Sequence, residues 1–398
     1  MNQNGAPLLI DVSRLLWRHW AHVRPTGIDR ICLAWLHHYG PRAQAVIIRK
    51  NKGGTILPAA ASQALFRQLL RPAASKAAAR AGLIGWALCH GRHAARTLSG
   101  RGRLWLNAGH TGLDSTDLPA WCAAADVRPV LMLHDIIPIT HPQFCREGEK
   151  ARHEVRVNTM LHIAAAVIGN SQDTLHVLAD YAAAHQLPVP PTMVAWPGTP
   201  HLAMPPGTRP PASNEFIILG TIEGRKNHHL LLDVWQRLVR EHGAAAPKLV
   251  IIGRRGWACD DVLARLDAGE FGDRVEETGA LEDAAIAARL AAARALLFPS
   301  FAEGYGLPLV EALDAGVPVI ASDLQVFREI GQGVPELLAP DDHAAWQAAI
   351  MAYAAPDSPA RAAQMGRLSG FKAPDWPGHF AKVDAFLAAL PSGNSALR

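Results

Sequence analysis

Two carboxylates, Glu303 and Glu311, are separated by seven residues in FAEGYGLPLVEALDAG (301–316), with glycines at 304 and 306 and a proline at 308. Pro just inside the start and Gly316 just past the end mark a short helix. Gly304 and Gly306 leave backbone N–H groups free to face an anion at its N-terminus. Glu311 then lies about one turn inside the helix, ~5 Å along its axis. Carboxylates accept strongly from hydroxyl pairs. A ligand with a sugar on each side of a diphosphate, a nucleotide-sugar, would satisfy both carboxylates and the anion pocket between them. Taken singly, Glu303 is more simply a helix cap and Glu311 a solvated face residue; the whole string is far more specific than its parts.

A second segment, LGTIEGRKNHHLLLDVW (219–235), follows an apolar run and precedes an amphipathic helical pattern, which sets Arg225 and Lys226 beside a helix N-terminus. The helix dipole disfavours cations there. Something negative should compensate them, and a diphosphate would do so; screened, solvent-facing charges are the plainer alternative. In the first half, LMLHDIIPITHPQF (131–144) ends an apolar strand in His134-Asp135, and PTGIDR (25–30) places Gly27 in a loop after the first strand. A lone histidine is more often structural than catalytic.

These residues need a frame that brings four distant loops together. Short β-rich runs alternate with helical patterns along the chain, the mark of parallel sheets with crossover helices. Strands are expected at PLLIDVS, AVIIRK, RLWLNA, PVLMLHD, AAVIGNS and TMVAW in the first half. In the second half they fall at EFIILGT, KLVIIG, RVEETG, ALLFPS and PVIASD. The stretch 201–214 is so dense in Pro and Gly that it reads as a linker. The expected fold class is α/β, with two doubly wound Rossmann-like domains, residues 1–200 and 215–372, facing a cleft. A last helical segment within 373–398 would pack back on the first domain. Ligands of such sheets sit beyond the carboxyl ends of the strands, so both domains present loops to the cleft.

EGYGLPLVEALDAGVPVIASD resembles the retaining glycosyltransferases of family 4, whose members share the two-domain GT-B fold; GTIEGRKN is similar to their GT-L-E-P-R-K-N segment, with Gly224 in place of proline. The resemblance is strong from about residue 216 to 330 and patchier before that. It implies that Arg225 and Lys226 contact the donor diphosphate, and that Gly27, Gly304, Tyr305, Gly306, Leu307 and Glu311 belong to the donor site, Glu311 on the nucleotide ribose. Tyr305 stands where phenylalanine is commoner. It further implies catalytic roles for Glu303, near the sugar C3 and C4 hydroxyls, and for His134, approaching the transferred sugar. The nucleobase would lie against the loops after KLVIIG and near TGALED (278–283).

The implied reaction is transfer with retention of anomeric configuration. The departing diphosphate develops negative charge, which a metal or fixed positive groups must stabilise. No Asp-x-Asp occurs in the sequence, so Arg225, Lys226 and helix-terminal N–H groups are expected to do this, with no metal and no cofactor beyond the nucleotide-sugar co-substrate. The HDIIPITHPQF segment looks like bacterial enzymes building O-antigen or exopolysaccharide, many of which use GDP-mannose. The expected acceptor is a polyprenyl-diphosphate-linked glycan. The competing readings are a nucleotide-sugar epimerase or hydrolase on the same fold, and a non-catalytic nucleotide-sugar or membrane-binding scaffold.

Composition bounds the rest. At 398 residues the chain suits two domains. Its five cysteines are scattered, without metal-site spacing, which fits a reducing cytosol. The N-terminus lacks a basic n-region, and no apolar run approaches the ~18 residues of a membrane span. Between Asp29 and Asp114 there is no acidic residue, while segment 42–103 carries twelve Lys and Arg. That basic face would hold the first domain on the anionic inner face of the cytoplasmic membrane, with LFRQLLRPAASKAAARAGLIGWAL suited to interfacial docking. An ordinary solvated helix pair accounts for it equally well. No nucleic-acid motif accompanies the patch. Trp17, Trp20, Trp35 and Trp86 are candidates to line an acceptor groove.

Overall fold

The computed structural model describes residues 8–94, 98–199 and 214–391. The Pro/Gly-rich stretch 201–214 lies, apart from Asn214, outside the described residues, as do the side chains of Arg92 and Arg96 from the basic segment.

Thirteen strands are described: β1 Leu8–Asp11, β2 Ala43–Ile48, β3 Gly54–Ile56, β4 Arg103–Asn107, β5 Val127–Leu133, β6 Ala166–Gly169 and β7 Thr192–Val194, then β8 Glu215–Leu219, β9 Lys248–Ile252, β10 Val275–Gly279, β11 Ala295–Phe298, β12 Val319–Ser322 and β13 Glu336–Leu338. The first seven form one sheet in the order β3-β2-β1-β4-β5-β6-β7, and the last six form another in the order β10-β9-β8-β11-β12-β13. Every pair is parallel except β2–β3. All eleven strands expected from the sequence are present. The two additional strands, β3 and β13, are three residues long each and sit at sheet edges, where a single hydrogen-bonded neighbour defines a strand that no apolar run announces.

Parallel strands with helices on both faces bury both sets of side chains. Alternate residues therefore feed two cores. Leu9 packs in one cluster and Ile10 in the other face's cluster of the first sheet. Phe216 and Ile218 face one core of the second sheet and Ile217 the other. In each sheet the chain order reverses beside the first strand, between β1 and β4 and between β8 and β11. These switch points open a crevice at the carboxyl ends of the strands.

The helix Trp376–Ala389 leaves the second domain and packs Phe380 and Val383 into the first domain's core. His379 and Trp35 meet there ring nitrogen to ring nitrogen at 3.0 Å, and Asp384 pairs with Arg42 at 2.7 Å. Trp35 is thus a core residue, and Trp86, whose indole N–H donates to the Ala61 carbonyl, packs against the same core. Trp17 and Trp20 remain exposed.

Candidate active site

The second sheet's switch point sets the loops after β8 and β11 side by side. After β8 the chain makes a short 3-10 turn, Gly224–Lys226, and Asn227 then adopts a left-handed conformation. The Asn227 side chain accepts from the Leu230 N–H and starts the helix His228–His242, so Arg225 and Lys226 stand immediately before a helix N-terminus. Across the switch point, the Arg225 carbonyl accepts from the Phe301 N–H at 2.8 Å, which ties the two loops together.

This pairing delivers Glu303 to the cations. Its Oε1 lies 2.8 Å from Arg225 Nη1, accepts from Lys226 Nζ, and accepts from Ser300 Oγ at 2.9 Å. Arg225 Nε reaches a second carboxylate, Glu223, at 2.6 Å. The negative charge that the sequence required beside Arg225 and Lys226 is therefore supplied by Glu303 and Glu223. Burial opposes ionisation of Glu303, but the Arg225 and Lys226 cations outweigh it and hold the carboxyl at about 2. Burial likewise pushes the Lys226 ammonium down, with Glu303 opposing, and raises the Glu223 carboxyl against the pull of Arg225. Lys226 also sits 4.5 Å over the Phe298 ring.

The next turn joins the domains. A Cβ at Gly304 would stand 2.0 Å from the His134 carbonyl oxygen, so only glycine lets this backbone approach. The Gly304 carbonyl accepts from Ser171 Oγ at 2.8 Å and Thr174 Oγ1 at 3.0 Å, both at the start of the first-domain helix Gln172–Ala184. Gly306 has φ 104° and caps the helix Leu307–Asp314. The Tyr305 ring is buried in the second domain's core with its hydroxyl donating to the Pro197 carbonyl, so the side chain does not line the cleft cavity. Leu307 meets Gly27 of the first domain, where a Cβ would come 2.8 Å from Leu307 Cδ1. Gly27 opens the helix Gly27–Tyr39, whose start is fixed by a Thr26/Asp29 capping box.

Glu311 faces a different partner from Glu303. It is buried on the helix Leu307–Asp314, 3.3 Å from Arg30 Nη1 of the first domain. Burial pushes its carboxyl up to about 7, with Arg30 opposing and Asp283 adding to the rise. Arg30 also pairs with Asp283 at 2.7 Å, and Arg24 pairs with Glu282. The TGALED loop thereby meets the first-domain PTGIDR loop.

His134 directly follows β5 on the opposite wall. It is buried, and its Nε2–H donates to the Ala108 carbonyl at 2.7 Å, which leaves Nδ1 as the acceptor of the neutral ring. Burial lowers its pKa, with the Ala108 bond opposing. A cavity of about 190 Å³ lies between the domains, lined by Asp135 and Thr140 on one side and by Phe301, Glu303 and Gly304 on the other. A larger one, about 380 Å³, opens at the first sheet's switch point and is lined by Arg14, Lys50, His110, His134 and Arg156 among others.

Thus Arg225, Lys226 and Glu303 form one cluster, Gly304 places it against His134, and Gly27, Leu307 and Glu311 line the same domain junction through other contacts. Sequence reasoning did not single out Glu223, Ser300 or Arg30. Arg30 and Glu223 lie inside the quoted PTGIDR and LGTIEGRKN segments; Glu223 pairs with Arg225 two residues on in its own loop, whereas no spacing shows that the partners of Arg30 lie across the cleft.

Comparison with known proteins agrees with this geometry. Residues 213–355 match the family model described as Glycosyl transferases group 1. The Serotype-specific mannosyltransferase WbdA of Escherichia coli is 29% identical over 226 residues, covering 52% of this chain and 28% of that protein. The O-antigen chain mannosyltransferase B of Escherichia coli is 36% identical over 143 residues, 36% of this chain and 37% of the relative. The match thus spans well under half the length of either relative. Among solved structures, Anabaena Alr3699/HepE in complex with UDP superposes with a TM-score of 0.63 at 17% identity, covering 96% of this chain and 99% of that one. The two sheets with reversed strand order, the loops they bring to a common cleft and these matches together give the classification: residues 213–355, in the second domain, match the glycosyl transferases group 1, and the chain as a whole has the GT-B fold.

Proposed function

We propose that this protein is a retaining, metal-independent glycosyltransferase that moves mannose from GDP-mannose to a polyprenyl-diphosphate-linked glycan in bacterial cell-surface polysaccharide synthesis. The observation that carries the reading is the Arg225–Glu303–Lys226 cluster at the second sheet's switch point, held against His134 across the cleft. An incoming diphosphate competes with Glu303 for both cations. As it takes them over, the Glu303 carboxylate is released to the hydroxyls of the transferred sugar. Charge that develops on the leaving diphosphate meets two fixed cations and the N-terminus of the helix His228–His242, a preorganised set in a largely dry site. Glu311 accepts from the ribose once it is ionised. The departing phosphate oxygen takes the acceptor's proton, so neither glutamate serves as a covalent nucleophile.

The names of the curated relatives, mannosyltransferases both, support mannose as the sugar. The UDP complex of the structural neighbour makes uridine the competitor to test. The cationic cavity at the first sheet's switch point, with Arg14, Lys50 and Arg156, suits an acceptor carrying a negative group. Membrane docking through the first domain has support in its surface. Trp17 (61% exposed), Trp20, Leu70, Ile84 (49%) and Leu88 (80%) belong to or adjoin three mutually packed helices, Ser13–Ala21, Ala59–Leu69 and Lys76–Ala94, and Arg80 stacks 5.1 Å over Trp20. Amphipathic surface of this kind, aromatic and basic together, favours the lipid interface. No helix among the described residues is long and apolar enough to cross a membrane.

The test is direct. Purified protein is incubated with GDP-mannose, UDP-glucose or UDP-N-acetylglucosamine and a polyprenyl-diphosphate glycan in vesicles, with and without EDTA. Mass spectrometry reads the product, and NMR its anomeric configuration. Mannosyl transfer with an α-linkage, unaffected by EDTA, is expected. Acceptor-independent turnover of the donor would replace the reading with a hydrolase or epimerase, and absence of both turnover and nucleotide binding would leave a scaffold.

A further inference from the structure

Outside the cleft, the second domain holds a cluster that sugar transfer does not use. His229 and Asp233 lie four residues apart on the helix His228–His242, hence on one face of it. His343 is the first residue of the helix His343–Ala354, which packs against it. Asp233 Oδ1 is taken by Arg265 Nη1 at 2.6 Å. Its Oδ2 faces two imidazole nitrogens, His229 Nδ1 at 3.3 Å and His343 Nε2 at 3.2 Å. The three ligand-type atoms lie within 4.8 Å of one another.

The outer nitrogens are also engaged. His343 Nδ1 donates to the Asp341 carbonyl at 3.2 Å, and a carbonyl can only accept, so the neutral ring presents the Nε2 lone pair to Asp233. His229 Nε2 lies 3.4 Å from the Asp261 carboxylate, the partner that would hold the ring with Nδ1 unprotonated. Histidine ligands of metals show this arrangement: one nitrogen toward the ion and the other tied to a carboxylate or carbonyl. The His343 lone pair aimed at a carboxylate oxygen repels it unless a positive charge lies between them, and His229 Nδ1 is a second nitrogen within 3.3 Å of the same oxygen. A tetrahedral ion with ligands at ~2.0–2.1 Å separates its ligand atoms by about 3.3–3.4 Å, close to the two spacings seen here.

We propose that His229, Asp233 and His343 bind one divalent transition-metal ion of the zinc type, with solvent in the fourth position. Two imidazoles and one carboxylate suit zinc, whereas calcium and magnesium prefer sites built from oxygen alone. The ion lies behind the diphosphate loop and takes no part in transfer. It joins the first turn of the helix after Arg225–Lys226 to the start of the helix His343–Ala354, two segments already linked by the Asn227 side chain donating to the Pro340 carbonyl at 2.7 Å. It thus ties two helices of the second domain together, a contribution to stability on which transfer does not depend. The proposal departs from the expectation of no metal, because it joins residues 110 positions apart, Asp233 and His343, that no local spacing connects.

The test uses the full chain without an affinity tag, carrying Cys89→Ser to remove an exposed thiol. It is titrated with Zn²⁺ by calorimetry and with Co²⁺ by visible spectroscopy, and its melting temperature is followed. One ion per chain with Kd below about 10 μM, cobalt bands of a four- or five-coordinate site and a higher melting temperature with Zn²⁺ are expected. Asp233→Asn and His343→Gln should each weaken binding at least tenfold and abolish the melting shift, while His162→Ala leaves both unchanged. No stoichiometric binding by the parent protein, or binding retained in both variants, would overturn the proposal and leave protonated histidines as the partners of Asp233.

Discussion

Arg30 and Glu311 stand 281 residues apart in the chain and 3.3 Å apart in space, one on each domain, with Glu311 buried. The proposed ribose acceptor is thus occupied by a side chain of the opposite domain, and its protonation is poised near neutrality.

Burial raises the Glu311 carboxyl from 4.5 to about 7. The folded state therefore favours the protonated form: the contribution to stability is complete below about 4.5 and is lost as pH rises through about 7. Denaturant titrations should show the wild type losing up to ~3 kcal/mol between pH 5 and 8 through this group, a loss that Glu311→Gln removes. Nucleoside diphosphate affinity should rise through pH 7 in the wild type and stay flat in the variant. Equal pH dependence in the two proteins would refute the assignment.

Glu303 moves in the opposite sense. The Arg225 and Lys226 cations hold it at about 2 despite burial, so its contribution is present above 4.5 and is lost as pH falls through about 2. Glu303→Gln should cost ~3 kcal/mol at pH 7, because two cations are left with one fewer carboxylate. Pyrophosphate should raise the melting temperature of this variant more than that of the wild type, and transfer should fall at least a hundredfold. An equal pyrophosphate shift in both proteins would show that the diphosphate does not use these cations.

Gly304→Ala places a methyl group 2.0 Å from the His134 carbonyl oxygen. The domain junction must open to relieve it, at a cost of ~1–3 kcal/mol. Reduced transfer with nucleotide binding largely preserved is the expected pattern, accompanied by a larger radius of gyration in solution scattering. Unchanged activity would mean that the junction opens during turnover anyway.

Because burial depresses the His134 pKa, its ring stays neutral across the working range and adds no inflection to the rate above pH 6.5. His134→Ala should lower transfer at every pH and leave the Ala108 carbonyl without its donor, costing ~1–3 kcal/mol. A pH–rate inflection between 6.5 and 8 that disappears in the variant would contradict a neutral His134.

For the membrane surface, a Trp20→Ser, Arg80→Gln, Leu88→Gln variant should lose most of its binding to vesicles containing anionic phospholipid in flotation assays, while keeping nucleotide binding. These side chains lie outside the second domain. Undiminished flotation would remove this face from the docking surface.

The sequence by itself determined the two sheets. The central strands are continuous apolar runs, and β-branched residues bounded by glycine, proline and asparagine need no tertiary information to be read as buried strands. The sequence also marked a short helix beginning at Pro308, named Arg225 and Lys226 as cations in want of an anion, and offered Glu303 and Glu311 as acceptors for sugar hydroxyls. Only the tertiary structure decided which groups pair. Strand order puts β8 next to β11, so Glu303 rather than a distant residue neutralises Arg225 and Lys226. Domain docking gives Glu311 to Arg30, presses Gly304 against His134 and sets Gly27 against Leu307. Such contacts are invisible along the chain because Coulomb and packing forces act over a few ångströms of space, and sequence separation carries no record of that distance.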